Sequence, residues 1–122
     1  MAKVKFELEF GGKKRGFLLG IMYLSSLFDK HSDKLGSYGE LLEKLSKNSF
    51  FNADLLIYES LVAYCERYEQ EIDFTINNVR DWLDDDYENN GAQTYIIFAS
   101  NFLGANDNKT PIESSKKGTK KK

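Results

Sequence analysis

Two apolar stripes of helical spacing, within residues 53–70 and 76–86, constrain the fold of this chain more than any other feature. Side chains three or four positions apart lie on one face of a helix. The first stripe is wide enough to contact more than one neighbouring element, which predicts a central helix over 53–70. Its members are Leu55, Tyr58, Val62 and Cys65, broadened by Leu61, Tyr64 and Tyr68. The buried edge of the second helix is expected at Ile76, Val79, Trp82 and Leu83.

The N-terminus has a different period, because apolar residues alternate with charged ones from Lys3 to Phe10. A period of two predicts a half-buried strand. Gly11-Gly12 is a two-residue hairpin signal, so residues 13–19 are predicted to return as the partner strand. An isolated ribbon is marginally stable in water. Its apolar face, with Phe6, Leu8 and Phe10 expected to be buried, must therefore cover helices or pair with another chain, which leaves homo-oligomerisation open.

Three further helices are predicted, over residues 20–32, 38–47 and 92–103. Each has apolar residues at helical spacing. Ser37 and Glu40 are expected to form a capping box, and Gly104 is expected to be the C-cap of the last helix. Asn52 and Thr75 are the expected N-caps of the helices over 53–70 and 76–86.

The composition is that of one helix-rich domain. The 122 residues suffice for one self-sufficient core, and a single proline with 30% charged residues favours helices over a turn-rich β-sandwich. We therefore predict an α+β fold that is mostly helical, with an N-terminal β-hairpin packed on about five helices. The domain is expected to occupy residues 1–104. Residues 105–122 lack apolar periodicity and are predicted to form a disordered, lysine-rich tail.

The net charge of −2 hides an uneven distribution. Residues 105–122 carry six Lys against Asp107 and Glu113, a net +4, so the rest of the chain carries −6. Nine carboxylates between Glu66 and Glu88 face only Arg67 and Arg80. An acidic body repels phosphates, and the tail has no aromatic residue for base stacking, so nucleic-acid binding is not expected. No apolar run approaches the length of a membrane span.

Residues suited to catalysis are few, and we expect no enzyme activity and no cofactor. His31 is the only histidine and lies in a polar helix end, which predicts a solvated side chain. Cys65 lies on the apolar stripe with no basic partner nearby in sequence that would activate it, which predicts a buried structural thiol. One Cys and one His cannot make a structural zinc site.

The acidic segment that follows Trp82 is the best candidate for a binding site. Its carboxylates lack the spacing of an EF-hand, so a patch for a basic partner is a better functional interpretation than metal binding. Acid at the end of a helix ending at residue 86 also opposes the helix dipole, which hints at a use outside the fold. The candidate partner-binding residues are Trp82, Asp84, Asp85, Asp86, Tyr87 and Glu88.

Residues 3–103 also resemble a known family in the order of their motifs. The hairpin carries Phe6-Glu7-Leu8-Glu9-Phe10-Gly11, and a helix begins just after Phe17-Leu18-Leu19-Gly20-Ile21. A short leucine helix follows, then a central helix with Leu-Leu-Ile-Tyr and a helix that contains Phe74-Thr75 and Asp81-Trp82-Leu83-Asp84. This arrangement is similar to the tail assembly chaperones of long-tailed, siphovirus-like bacteriophages. The tyrosines of the central helix and the Asn89-Asn90-Gly91 turn depart from that pattern.

The resemblance implies an adaptor without catalytic activity. Such proteins coat the tape measure protein, keep it soluble and recruit tail tube subunits. The resemblance further implies a place in the cytoplasm of the host cell and absence from the mature virion. Many members are also made in a longer, frameshifted form, on which the amino-acid sequence is silent. The alternative is a small cytoplasmic adaptor or regulatory protein with no phage role.

Overall fold

A computed structural model describes residues 1–47 and 49–106 of the chain. Two antiparallel strands, β1 (Val4–Phe10) and β2 (Lys13–Leu19), come first. Five helices follow, namely α1 (Ile21–Leu35), α2 (Tyr38–Ser46), α3 (Ala53–Arg67), α4 (Ile76–Asn90) and α5 (Gln93–Asn106). The predicted α+β architecture, an N-terminal hairpin on about five helices, is confirmed.

The hairpin has the predicted turn. Phe10 pairs with Lys13 across Gly11-Gly12, and the register continues to the pair of Val4 and Leu19. Gly11 has a φ of +66°, and a Cβ atom there would lie 2.4 Å from the Trp82 ring. Glycine is required on both counts, because other residues disfavour this φ and have no space for a side chain.

The hairpin packs through aromatic rings on α5. The rings of Phe6 and Phe17 stack in parallel with centroids 5.0 Å apart, and each lies within 6.5 Å of the Phe98 ring. Phe17, Phe98 and Phe10 are buried as expected for the core face of a strand and a helix. The prediction that Phe6 and Leu8 are buried holds only in part, because both remain partly exposed along β1.

α3 is the central helix, and ten of its fifteen residues are buried. It lies against β2, where a Cβ atom on Gly16 would come 2.2 Å from the Tyr64 ring. The helix ends at Arg67 rather than at residue 70, and Glu69 has a φ of +55°. Its other end also differs from the prediction. Asn52 adopts a left-handed conformation and donates its side-chain amide to the Lys34 carbonyl, so it makes no side-chain cap.

Other helix ends follow the sequence more closely. Ser37 forms the predicted capping box with Glu40, and Thr75 forms one with Asn78. The first helix is longer than predicted, because it continues through a kink at His31 to Leu35.

The last helix passes the predicted C-cap, Gly104, and ends at Asn106. Two tertiary hydrogen bonds hold this additional stretch: Ala2 N–H donates to the Ala105 carbonyl, and Tyr38 donates to Asn106 Oδ1. The predicted domain boundary at residue 104 is therefore two residues short of the helix end. Residues 107–122 of the predicted tail lie outside the described residues.

Candidate functional site

All six predicted partner-binding residues lie on α4, but they do not form one surface. α4 runs four residues further than predicted, to Asn90, and Gly91 in a left-handed conformation ends it. The three consecutive aspartates therefore point in different directions from the helix, before its C-terminal end. The structure places Asp84, Asp85, Tyr87 and Glu88 at the surface, whereas Asp86 is buried and Trp82 is partly buried.

Asp86 belongs to the fold. Its side chain is 8% exposed, and its Oδ2 accepts a hydrogen bond of 2.8 Å from the Thr94 N–H in the first turn of α5. Its Oδ1 lies 3.3 Å from the Thr94 hydroxyl. A carboxylate at a helix N-terminus satisfies a free N–H group and complements the helix dipole. The expectation that Asp86 contributes to an exposed acidic patch is thus wrong, because α5 returns onto its side chain.

Trp82 is also a packing residue. Its ring meets the Phe10 ring edge to face at 5.4 Å, and the Arg15 guanidinium lies 4.4 Å from its centroid. Arg15 is held there by a hydrogen bond of 2.7 Å from its Nε to the Phe10 carbonyl. A cation over an aromatic face is attracted by the ring quadrupole. Trp82 thereby joins α4 to the hairpin, and only part of its ring reaches the surface.

The surface beside the acids is an apolar cleft of about 320 Å³ between α4 and the segment before α3. Tyr87 is 64% exposed and meets the Phe50 ring edge to face at 6.0 Å. Phe50 is itself exposed, and its ring also lies 4.6 Å from the Tyr95 ring. Large apolar side chains left exposed together are typical of interaction sites. The cleft is lined by Phe50, Ala53, Leu83, Asp84, Asp86, Tyr87, Ala92 and Tyr95.

A second cleft of about 420 Å³ lies on the other side of α4, against the hairpin turn. Asp85 and Asn89 line it from the helix, and Glu9 and Gly12 line it from the hairpin. Asp84 and Asp85 thus flank α4 on its two sides, while Glu88 lies in neither cleft. Within the described residues, none of these three carboxylates has an ion-pair partner. The exposed acid of α4 is therefore free to attract a cationic partner.

His31 is not the solvated side chain that the sequence predicts. Its Nε2 lies 3.0 Å from the Oε2 of Glu59, a buried carboxylate on α3, and Lys30 Nζ lies 3.3 Å from the Oε1. Local sequence patterns do not predict this cluster, because Glu59 is 28 residues from His31 and 29 residues from Lys30. A buried carboxylate is tolerated only when it is paired, so the cluster explains how α1 fixes a charged residue on α3.

Cys65 is buried, as predicted, and its Sγ lies 3.8 Å from the Glu71 carbonyl. Burial, followed by the charge of Asp73, raises the pKa of the thiol. Since the thiolate is the reactive form, alkylation of the native protein at neutral pH should be several-fold slower than in denaturant. The measurement is the labelling rate with a thiol reagent under both conditions. Equal rates would contradict a structural thiol.

Asp73 gives the fold a defined pH dependence. Hydrogen bonds from Lys13 at 2.7 Å and Arg15 at 2.9 Å lower the pKa of its carboxyl from 3.8 to about 2. A carboxyl with a lowered folded pKa stabilises the protein above its unfolded pKa and loses that effect as pH falls through the folded value. Asp73→Asn should therefore lower Tm near neutral pH, and the difference from wild type should disappear between about pH 4 and pH 2. Melts across this range test it, and a constant difference in Tm would contradict the ion pair.

The structure provides two negative findings for its described residues. Across 1–47 and 49–106, no three His, Cys, Asp or Glu side chains converge as metal ligands would. None of the helices in the same ranges has the length and apolar character that crossing a bilayer requires.

Comparison of the chain with protein-family models, curated proteins and solved structures finds no match.

Proposed function

We propose that this protein is a bacteriophage tail assembly chaperone, a binding protein without catalytic activity. In this proposal it keeps the tape measure protein soluble and recruits tail tube subunits. It acts in the cytoplasm of the host cell and is absent from the mature virion. The order of motifs from the hairpin to Asp81-Trp82-Leu83-Asp84 supports the proposal through the family that it resembles.

The observation that carries the proposal is the exposed apolar cleft on α4, beside carboxylates that have no ion-pair partner among the residues the structure describes. Phe50 and Tyr87 are 46% and 64% exposed, and their rings meet at the rim of the cleft. Asp84 lines the same cleft, and Glu88 follows Tyr87 on the helix. Burial of aromatic side chains supplies affinity, whereas surrounding charge steers association and selects a partner of opposite sign.

This surface fits a partner segment that combines apolar and basic side chains. A long helical protein that assembles into a tail must expose such residues before assembly, and it aggregates when they stay uncovered. The apolar cleft would cover the partner's apolar residues, and the carboxylates would pair with its lysines or arginines. Because the charges are exposed, the association should weaken as salt increases.

Co-expression tests the proposal directly. The probe is the tape measure protein encoded near this gene, expressed with and without the full chain. We expect most of the tape measure protein to be insoluble alone, and soluble and bound to this chain when both are present. The tail tube protein from the same genome is the second bait. If the full chain neither solubilises nor co-purifies with either protein, the phage proposal fails.

A further inference from the structure

The two strands of the hairpin have edges of different character. α3 closes the edge of β2: the Leu18 N–H donates to Ser60 Oγ at 3.0 Å, and the Ser60 hydroxyl donates to the Leu18 carbonyl at 3.0 Å. Both backbone groups of Leu18 therefore point away from β1. Ser60 is fully buried, so this edge has no room for another strand.

The outer edge of β1 is open in the part of the chain that the structure describes. Leu18 pairs with Lys5, and in an antiparallel ladder both members of such a pair point their backbone groups away from each other. The N–H and C=O groups of Lys5, and by alternation those of Glu7 and Glu9, face outward. Within the described residues, no hydrogen bond beyond the hairpin ladder reaches these groups. An unpaired row of this kind is a template for another strand.

The charges on β1 are arranged so that the strand complements itself. Lys3 and Lys5 precede Glu7 and Glu9, and all four side chains are exposed. When two copies of β1 pair antiparallel about a two-fold axis at Phe6, Lys5 lies opposite the second copy's Glu7. In the same register Lys3 lies opposite Glu9. Every charged pair is then one of opposite sign, which favours the pairing.

The apolar face of β1 points to the same register. Val4, Phe6 and Leu8 pack on the core but remain partly exposed, which is unusual for the core face of a strand. In the antiparallel arrangement Phe6 lies opposite Phe6 of the second copy, and Val4 lies opposite Leu8 of the second copy. The second copy would then cover the parts of these side chains that are exposed in the single chain. A shift by one residue would place apolar side chains against charged ones, so the register is specified.

We propose that two copies of this chain associate through β1 and form a continuous four-stranded antiparallel sheet, in the order β2, β1, β1 of the second copy and its β2. The interface consists of the outward backbone groups of Lys5, Glu7 and Glu9, the cross-strand ion pairs and the apolar row centred on Phe6. Charged residues on an edge strand usually prevent pairing. Here the order of lysines and glutamates opposes parallel self-pairing and allows the antiparallel one.

Charge reversal tests the proposal on the full chain. In a homodimer, Glu7→Lys places the introduced lysine opposite Lys5, and Lys5→Glu places the introduced glutamate opposite Glu7. We expect wild type to be a dimer by sedimentation or light scattering, and each single variant to raise the dimer Kd about tenfold or more. An equimolar mixture of the two variants should form a heterodimer, because both of its central cross-strand pairs then join a lysine of the Glu7→Lys chain to a glutamate of the Lys5→Glu chain. The double variant Lys5→Glu/Glu7→Lys should regain the homodimer.

The mixture distinguishes a loss of pairing between chains from a loss of contacts within one chain. Within one chain Glu7 accepts a hydrogen bond from Tyr64, and Lys5 lies over the Tyr68 ring, so each substitution also removes an intramolecular contact. Loss of those contacts alone would not be reversed by mixing. Hydrogen exchange provides a second measurement: the amides of Lys5, Glu7 and Glu9 should exchange more slowly in the dimer than in diluted protein. A wild type that stays monomeric at every concentration, or variants that do not restore each other, would overturn the proposal.

Discussion

Replacing Phe98 with alanine is expected to reduce the free energy of unfolding by about 3–5 kcal/mol, the usual cost of removing a buried phenylalanine. Phe98 is fully buried, and its ring lies within 6.5 Å of the rings of Phe6, Phe17 and Phe102. The substitution would leave a cavity at the point where α5 contacts both strands. Denaturant unfolding of the purified chain gives the measurement.

Ile96 provides the matched control on the same helix. It lies two residues before Phe98 and is 46% exposed, so Ile96→Ala should change the free energy of unfolding by about 0.5 kcal/mol or less. The pair distinguishes burial from helix propensity, because both substitutions introduce alanine into α5. Equal destabilisation by the two variants would mean that the hairpin does not pack on α5 as described.

Charge reversal at Asp86 should destabilise the domain by about 3 kcal/mol or more. Removing a buried partner from the Thr94 N–H costs about 1–3 kcal/mol. A lysine there would add an unpaired cation at the positive end of the α5 dipole. Thermal or denaturant melts of Asp86→Lys measure the effect.

The neighbouring residue is the control for that prediction. Asp85 is exposed, so Asp85→Lys should leave the stability within about 0.5 kcal/mol of wild type. Indistinguishable melts for the Asp85 and Asp86 variants would show that Asp86 does not cap α5. The contrast also decides which substitutions are usable in binding experiments, because a variant that unfolds reports nothing on the surface.

The order of elements follows from the sequence because each one depends on local chemistry. The alternation before Gly11-Gly12 predicts the first strand, and the two-residue turn predicts that the chain returns as its partner. The capping boxes at Ser37 and Thr75 likewise involve residues only three positions apart. Signals of this range are independent of where the rest of the chain folds.

The roles of single charged residues are not predictable in the same way. Helical spacing places Asp86 on the same face as Val79 and Leu83, but its hydrogen-bond partner is decided by where α5 returns. His31 is partnered by a carboxylate 28 residues away. Arg15 lies between the Phe10 carbonyl and the Trp82 ring, a site that exists only once α4 meets the hairpin. These partners depend on tertiary contacts, so local sequence patterns do not predict them.

One co-purification measurement tests most directly whether the surface of α4 binds the proposed partner. Wild type and Asp84→Lys/Asp85→Lys are each co-expressed with the proposed partner, a tape measure protein, after melts have shown that both chains fold equally. Wild type should retain the partner, and the bound fraction should fall as salt increases. The double variant should lose most of the partner, because two exposed carboxylates beside the clefts become cations. Equal retention of the partner by both folded chains would contradict the assignment of the α4 surface as the binding site.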